Sequence, residues 1–155
     1  MTMTERNVRK TVTVPAPVDK TFKVFTEGIE RWWTPGHHIG EAELKEIVLE
    51  GRAGGCWYEI GIDGIECNWG HVLVWEPPGR IVLAWQISSN WQFDPDLVTE
   101  VEVRFVAAGP HSTRVELEHR NLDRFGPEAE GMREQFNAPG GWQGLLEAFA
   151  AGTSA

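Results

Sequence analysis

The chain is short of cysteine, tyrosine, basic residues and long apolar runs, and each shortage excludes something. Its 14 Lys and Arg stand against 23 Asp and Glu, a formal net charge of −9. A protein that binds nucleic acid or an anionic membrane needs clustered cations to neutralise phosphate, so neither partner is expected. No apolar run approaches the roughly 18 residues of a membrane span. Met1 to Lys10 is polar and lacks the apolar centre of a signal peptide, which makes a cytoplasmic location the expectation. Neither Cys56 nor Cys67 has the setting of a nucleophile, and no Gly-x-Ser-x-Gly elbow occurs. The five histidines show no His-x-x-x-His spacing, so no metal site and no cofactor are expected. His37 and His38 point apart on extended chain and read as a surface loop. Ala53-Gly54-Gly55 leads into a strand, not into a helix N-terminus, and reads as a turn, not a phosphate loop.

What is abundant is tryptophan, eight residues against one tyrosine. Side chains of that size need a large core or a cavity to line. A chain of 155 residues is one domain, 1–155 with its core over about 8–152, and can bury such a core without crosslinks. Its organising stretch is the last, Pro139 to Ala150. Trp142, Leu145, Leu146 and Phe149 fall at i, i+3, i+4 and i+7 and make one apolar stripe on a helix. Asn137 is expected to cap this helix, Pro139 to fit its first turn and Gly152 to stop it. Nearly everything upstream alternates, so the helix must cover a sheet whose apolar face would otherwise be wet.

In chain order, Val8 to Val14 alternates as a half-buried strand. Pro17 opens a helix with Val18, Phe22 and Phe25 on one side, and a short helix over Ile29 to Trp33 follows. A break at Pro35-Gly36 leaves Trp32 and Trp33 at the mouth of a loop. Glu41 to Glu50 reads as a strand. Asp63-Gly64 signals a two-residue hairpin between Cys56–Ile60 and Ile65–Trp75, so facing residue numbers sum to 127. Tyr58 then faces Trp69, Cys56 faces His71, and Ile60 faces Cys67. That register sets the cysteines four positions apart, beyond the roughly 7 Å Cα limit of a disulfide, and two free thiols are expected. Ile81 to Ile87 reads as a strand covered on both faces over part of its length, and Ser88 to Asp96 as a polar loop carrying Trp91 and Phe93. Val101, Val103 and Phe105, then Val115, Leu117 and His119, are inner positions of a hairpin joined at Gly109-Pro110. Glu128 to Phe136 is a further helical piece. The class is α+β, a curved six- to seven-stranded antiparallel sheet around a long C-terminal helix, with two short helices after the first strand.

Six segments in order carry a resemblance over nearly the whole chain, from about Val8 to Gly152. They are Val14-Pro15-Ala16-Pro17 before Phe22, Trp32-Trp33, Gly54-Gly55 before Trp57-Tyr58-Glu59, Pro77-Pro78-Gly79-Arg80 before Trp85, Val115 to His119, and Gly141-Trp142 before Leu145-Leu146. With these the chain resembles the START-like (SRPBCC, helix-grip) superfamily. Within it the chain looks most like bacterial relatives of the activator of the ninety-kilodalton heat-shock protein ATPase. Trp32-Trp33, Trp57-Tyr58-Glu59 and Asp94-Pro95-Asp96 are also similar to the subgroup of enediyne self-resistance proteins. The resemblance implies a hydrophobic cavity between sheet and helix. Members range from lipid carriers to polyketide cyclases and co-chaperones, so the fold leaves function open.

Tyr58, Trp69, Trp75, Trp85 and Trp142 are the expected cavity residues, with Trp57 on the opposite face. Alternation places His71 beside Trp69 and Leu73, and His119 beside Val115 and Leu117. Each is either a structural histidine satisfied by protein or water, or a group that gives a ligand a hydrogen bond or proton, with Tyr58 and Gln86 assisting. The expected ligand-binding set is therefore Tyr58, Trp69, His71, Trp75, Trp85, His119 and Trp142, and no catalytic residue is singled out. Three functions follow in order. The first is binding of a small hydrophobic, aromatic or polycyclic molecule by a monomer or homodimer. The second is a cyclase- or hydratase-type enzyme using a cavity histidine. The third is a stress-response protein with a chaperone partner, which requires a large exposed apolar patch.

Overall fold

The computed structural model describes residues 7–34 and 36–154; the polar stretch before residue 7 and the break expected at Pro35 lie outside them. Strand β1 (Val8–Val14) is followed by helix α1 (Val18–Thr26) and a 3-10 turn, Ile29–Arg31. Six strands come next: β2 (Leu44–Leu49), β3 (Cys56–Gly61), β4 (Glu66–Glu76), β5 (Arg80–Trp85), β6 (Thr99–Gly109) and β7 (Ser112–Arg120). A 3-10 stretch, Leu122–Glu128, leads to α2 (Ala129–Asn137), a π turn (Pro139–Gln143) and α3 (Gly144–Ser154). The sheet runs β1-β7-β6-β5-β4-β3-β2 with every neighbouring pair antiparallel, curled into a half-barrel around the C-terminal helix.

The alternation read from β6 and β7 is the one observed: Val101, Val103, Phe105, Val115, Leu117 and His119 are all buried. Above them Trp142, Leu145, Leu146 and Phe149 are buried as one stripe, which removes the apolar surface of sheet and helix from water together. Phe22 and Phe25 of α1 meet Phe105 edge-on, and Phe25 also meets Phe149. The helix ends differ from expectation. Ala138, not Asn137, is the N-cap and makes no side-chain cap bond, because the chain enters through the π turn. Gly152 does not stop α3. A helical glycine costs only about 1 kcal/mol, and Thr153 beyond it is buried with its hydroxyl bonded to Phe149 O at 2.8 Å.

The outer face of β5, β6 and β7 carries an ion-pair lattice. Glu102 accepts from Arg80 at 2.5 Å, Arg120 at 2.6 Å and Arg104 at 2.9 Å. Burial pushes its pKa up, but the hydrogen bonds from the three arginines outweigh burial and bring it from 4.5 to about 2. A carboxylate with a depressed folded pKa contributes stability above its unfolded value and loses it as the pH falls. Here that window runs from about 4.5 down to about 2.

The β3–β4 hairpin departs from the two-residue turn, with consequences for the site. Gly61 N–H bonds Ile65 O at 3.0 Å, so the loop holds three residues, Ile62, Asp63 and Gly64, the last in the left-handed region at φ 83°. This is the three-residue hairpin connection, in which glycine supplies the left-handed position. The pairs beside the turn shift by one, so Tyr58 faces Asn68 and Glu59 faces Cys67. A bulge at Trp69 then restores Trp57 opposite Gly70 and Cys56 opposite His71. That bulge requires glycine at 70, where a Cβ would collide with Ala84 O. A second bulge lies between Val72 and Val74. Because one slip exchanges the faces of a strand, Trp57 and Glu59 turn inward and Tyr58 outward, correcting the expected placement of Trp57 and Tyr58. His71 moves to the outer row formed by Cys56, Ala84, Glu100 and Arg120. Both cysteines are free, Cys56 in that outer row and Cys67 opposite the buried Glu59.

Candidate functional site

A cavity of about 450 Å³ lies between the sheet and the helical layer. Trp69, Trp85 and Ile87 form its sheet wall, and Phe136, Trp142 and Leu145 its helical wall. Trp33 and the segment His37, His38 and Ile39 line it from one loop, and Trp91 from the β5–β6 loop. Among the described residues no Asp, Glu, Lys or Arg lines it. The tryptophan walls hold each other in place. Trp69 lies 5.3 Å from both Trp33 and Trp57, and Trp85 meets Trp142 edge-on at 5.6 Å between ring centroids.

Of the residues expected at the site, Trp69, Trp85 and Trp142 are brought together here. Trp75 packs on Phe22 at 5.3 Å, outside the cavity. Tyr58 faces away from it. His71 also lies outside, its Nδ1 2.8 Å from Gln86 Oε1, while Gln86 Nε2 donates to Pro95 O at 3.2 Å and so ties down the β5–β6 loop.

His119 is fully buried behind Trp142, and both of its nitrogens are engaged. Trp142 Nε1 donates to His119 Nδ1 at 3.1 Å. An indole N–H can only donate, so the neutral ring carries its proton on Nε2. That proton goes to Thr99 Oγ1 at 2.8 Å, and the Thr99 hydroxyl donates to Trp85 O at 3.1 Å. Burial pushes the imidazole pKa from 6.5 down to about 3. The unfolded chain binds a proton below about 6.5 that the folded one refuses, so this histidine removes stability as the pH falls from 6.5 towards 3. His119 thus takes the structural alternative, with no nitrogen left for a ligand.

Two residues that sequence reasoning did not assign to the site stand out. Glu59 is a buried carboxylate that accepts from Trp69 Nε1 at 2.7 Å, Ile39 N at 2.6 Å and Gly40 N at 3.1 Å. It clamps the cavity-lining loop to the cavity-lining strand. His38, expected on a plain surface loop, lines the cavity with its Nδ1 2.9 Å from Gly40 O and 3.8 Å from Glu59 Oε2. A carbonyl only accepts, so Nδ1 carries the proton and Nε2 of the neutral ring the lone pair. The carboxylate in Trp-Tyr-Glu and the His-His pair were visible in the sequence, but nothing there joined residues 38 and 59. Among the described residues no group of three or more His, Cys, Asp or Glu could hold a metal ion. No described helix is long and apolar enough to cross a membrane.

An antiparallel half-barrel gripping a C-terminal helix above a tryptophan-walled cavity defines the START-like, helix-grip class of protein. Within that class the chain belongs to the activator of Hsp90 ATPase homolog 1-like family, whose profile matches residues 15–151. A structure of the anthrahydroquino-gamma-pyrone synthase Txn09, complexed with SUM, is 40% identical, covers 94% of this chain and 96% of its own, and superposes with a TM-score of 0.68. CalC, a self-sacrificing resistance protein from Micromonospora echinospora, is 32% identical over 96% of this chain and 94% of its own, with a TM-score of 0.72. An AHSA1-like protein from Aeromonas hydrophila, 18% identical over 95% and 92% of the two chains with a TM-score of 0.57, shares the fold. A search of curated protein sequences returns no match.

Proposed function

We propose that this protein binds one small, flat, apolar molecule, aromatic or polycyclic, in the cavity beneath the C-terminal helix. The observation that carries this reading is the lining itself: aromatic rings on three sides, no Asp, Glu, Lys or Arg among the described residues that line it, and a volume of about 450 Å³. That volume falls in the range of roughly 300 to 1,000 Å³ typical of small-molecule pockets. An unpaired charge buried there would be penalised far more than a ring, so charged metabolites are disfavoured. The names of two relatives above 30% identity, a synthase complexed with SUM and a self-sacrificing resistance protein, support a ligand-receiving role for this fold. Two free thiols suit a reducing compartment such as the cytoplasm. The chaperone-partner reading has less support. The exposed large apolar residues among those described are Ile62, Ile65, Trp91 and Val106, spread over three separate parts of the sheet and its loops.

A second reading, an enzyme of the cyclase type, rests on His38. Its ring lines the cavity with Nε2 in the form that accepts a proton and with the Glu59 carboxylate behind it. In this reading His38 is the proton-transfer group, in place of the inner-face histidines expected from the sequence. Titration with the neutral polycyclic dye Nile red tests the first reading. Saturable binding at one site per chain is expected. Trp69→Ala should weaken it by about tenfold, or 1.4 kcal/mol, whereas His38→Gln should leave it within about twofold. Absence of saturable binding by the native protein rejects the cavity as a ligand site.

A further inference from the structure

The protein builds one hairpin turn twice, with very different residues at its critical position. In the loop Gly61 to Ile65 the first N–H bonds the fifth carbonyl at 3.0 Å, and the fourth N–H, that of Gly64, returns to the first carbonyl at 2.9 Å. In the loop Ser88 to Gln92 the same two bonds measure 2.8 and 2.9 Å, the second given by Trp91. The fourth residue is left-handed in both, φ 83° at Gly64 and 61° at Trp91. Glycine takes that conformation freely, whereas a bulky side chain is strained by it.

Trp91 is unusual on two further counts. It is 43% exposed in an otherwise polar loop, and among the described residues it is the one tryptophan of the eight with no ring packed against it. Yet it lines the cavity. A residue in a strained conformation, with no ring stacked on it and 43% of its surface exposed, gains less from the folded chain alone than the seven tryptophans that pack against other rings. Such strain persists where function uses it.

We infer that Trp91 is a ligand-contact residue that sets specificity, its ring held at the cavity so that one face stacks on a flat aromatic ligand. The inference rests on the cavity's being a ligand site. Stacking supplies the ring partner that Trp91 lacks in the free protein and covers its exposed face, favouring planar ligands over globular ones of equal volume. The turn fixes the backbone of Trp91 beforehand through its two hydrogen bonds, and the Gln86–Pro95 contact anchors the same loop, so the binding step has only the side chain of Trp91 left to order.

Replacing Trp91 by glycine gives the turn the residue it already has at Gly64, which separates folding from binding. Trp91→Gly should keep or raise the thermal midpoint while weakening Nile red binding by about tenfold or more, and Trp91→Phe, which keeps a ring, should bind within about threefold of the native protein. Two results overturn the inference while leaving the cavity reading intact: native-like dye binding by Trp91→Gly, or a midpoint lowered by several degrees, which would make Trp91 a packing residue. A native protein that binds no dye removes the cavity reading, and the role of Trp91 with it.

Discussion

Trp142→Ala should lower the unfolding free energy by about 3 to 5 kcal/mol, the range for truncating a buried aromatic. Trp142 is 3% exposed and ties three parts of the structure together, through ring contacts with Trp33 and Trp85 and its bond to His119. The alanine variant loses the ring and leaves His119 Nδ1 without its donor. Trp142→Phe separates the two effects. It keeps most of the apolar contact but orphans the buried nitrogen, at a cost of about 1 to 3 kcal/mol. Urea melts of the three proteins measure both numbers. A loss below about 0.5 kcal/mol for the alanine variant, typical of surface positions, would show that α3 is not anchored through this ring.

Removing the Glu59 carboxylate should be the other severe change. Three donors converge on it, two from the loop backbone at Ile39 and Gly40 and one from the Trp69 indole. Hydrogen bonds to a charged group contribute more than neutral ones, and a buried donor left unpaired incurs its full desolvation cost. In Glu59→Ala the two loop amides can regain water as the loop lifts away, but the Trp69 indole is too buried to do so. A net loss of about 3 to 4 kcal/mol is expected, together with weakened dye binding, because the loop that carries His38 and Ile39 to the cavity is released. Glu59→Gln keeps one accepting oxygen and should fall between the native and alanine proteins on both measures. An alanine variant with native stability would contradict the clamp.

The layout of the fold was legible because it rests on periodicity. The strand from Val8 to Val14, the inner rows of β6 and β7, and the stripe from Trp142 to Phe149 are repeated patterns, and each is where the alternation put it. The site was legible only in part, because its details turn on single-residue departures from period two. A third loop residue beside Gly64 and the bulge at Trp69 reverse the faces of Tyr58, Trp57 and His71. Of these the sequence offers one trace, Gly70, whose missing Cβ permits the bulge. Glu59 and His38 meet across a fold contact that no local pattern encodes. His119 was correctly placed inside, but only the geometry shows that Trp142 and Thr99 occupy both of its nitrogens.

The central claim, that the cavity walled by tryptophans receives a flat apolar ligand, can be read directly from the indole N–H resonances of the eight tryptophans in a nitrogen–proton correlation spectrum. Titrating Nile red into the native protein should move the resonances of Trp33, Trp69, Trp85, Trp91 and Trp142, which line the cavity, and leave Trp75, which packs on Phe22 outside it, in place. A spectrum in which the five stay fixed while the dye binds, or in which Trp75 moves as far as they do, would place the ligand elsewhere and contradict the account.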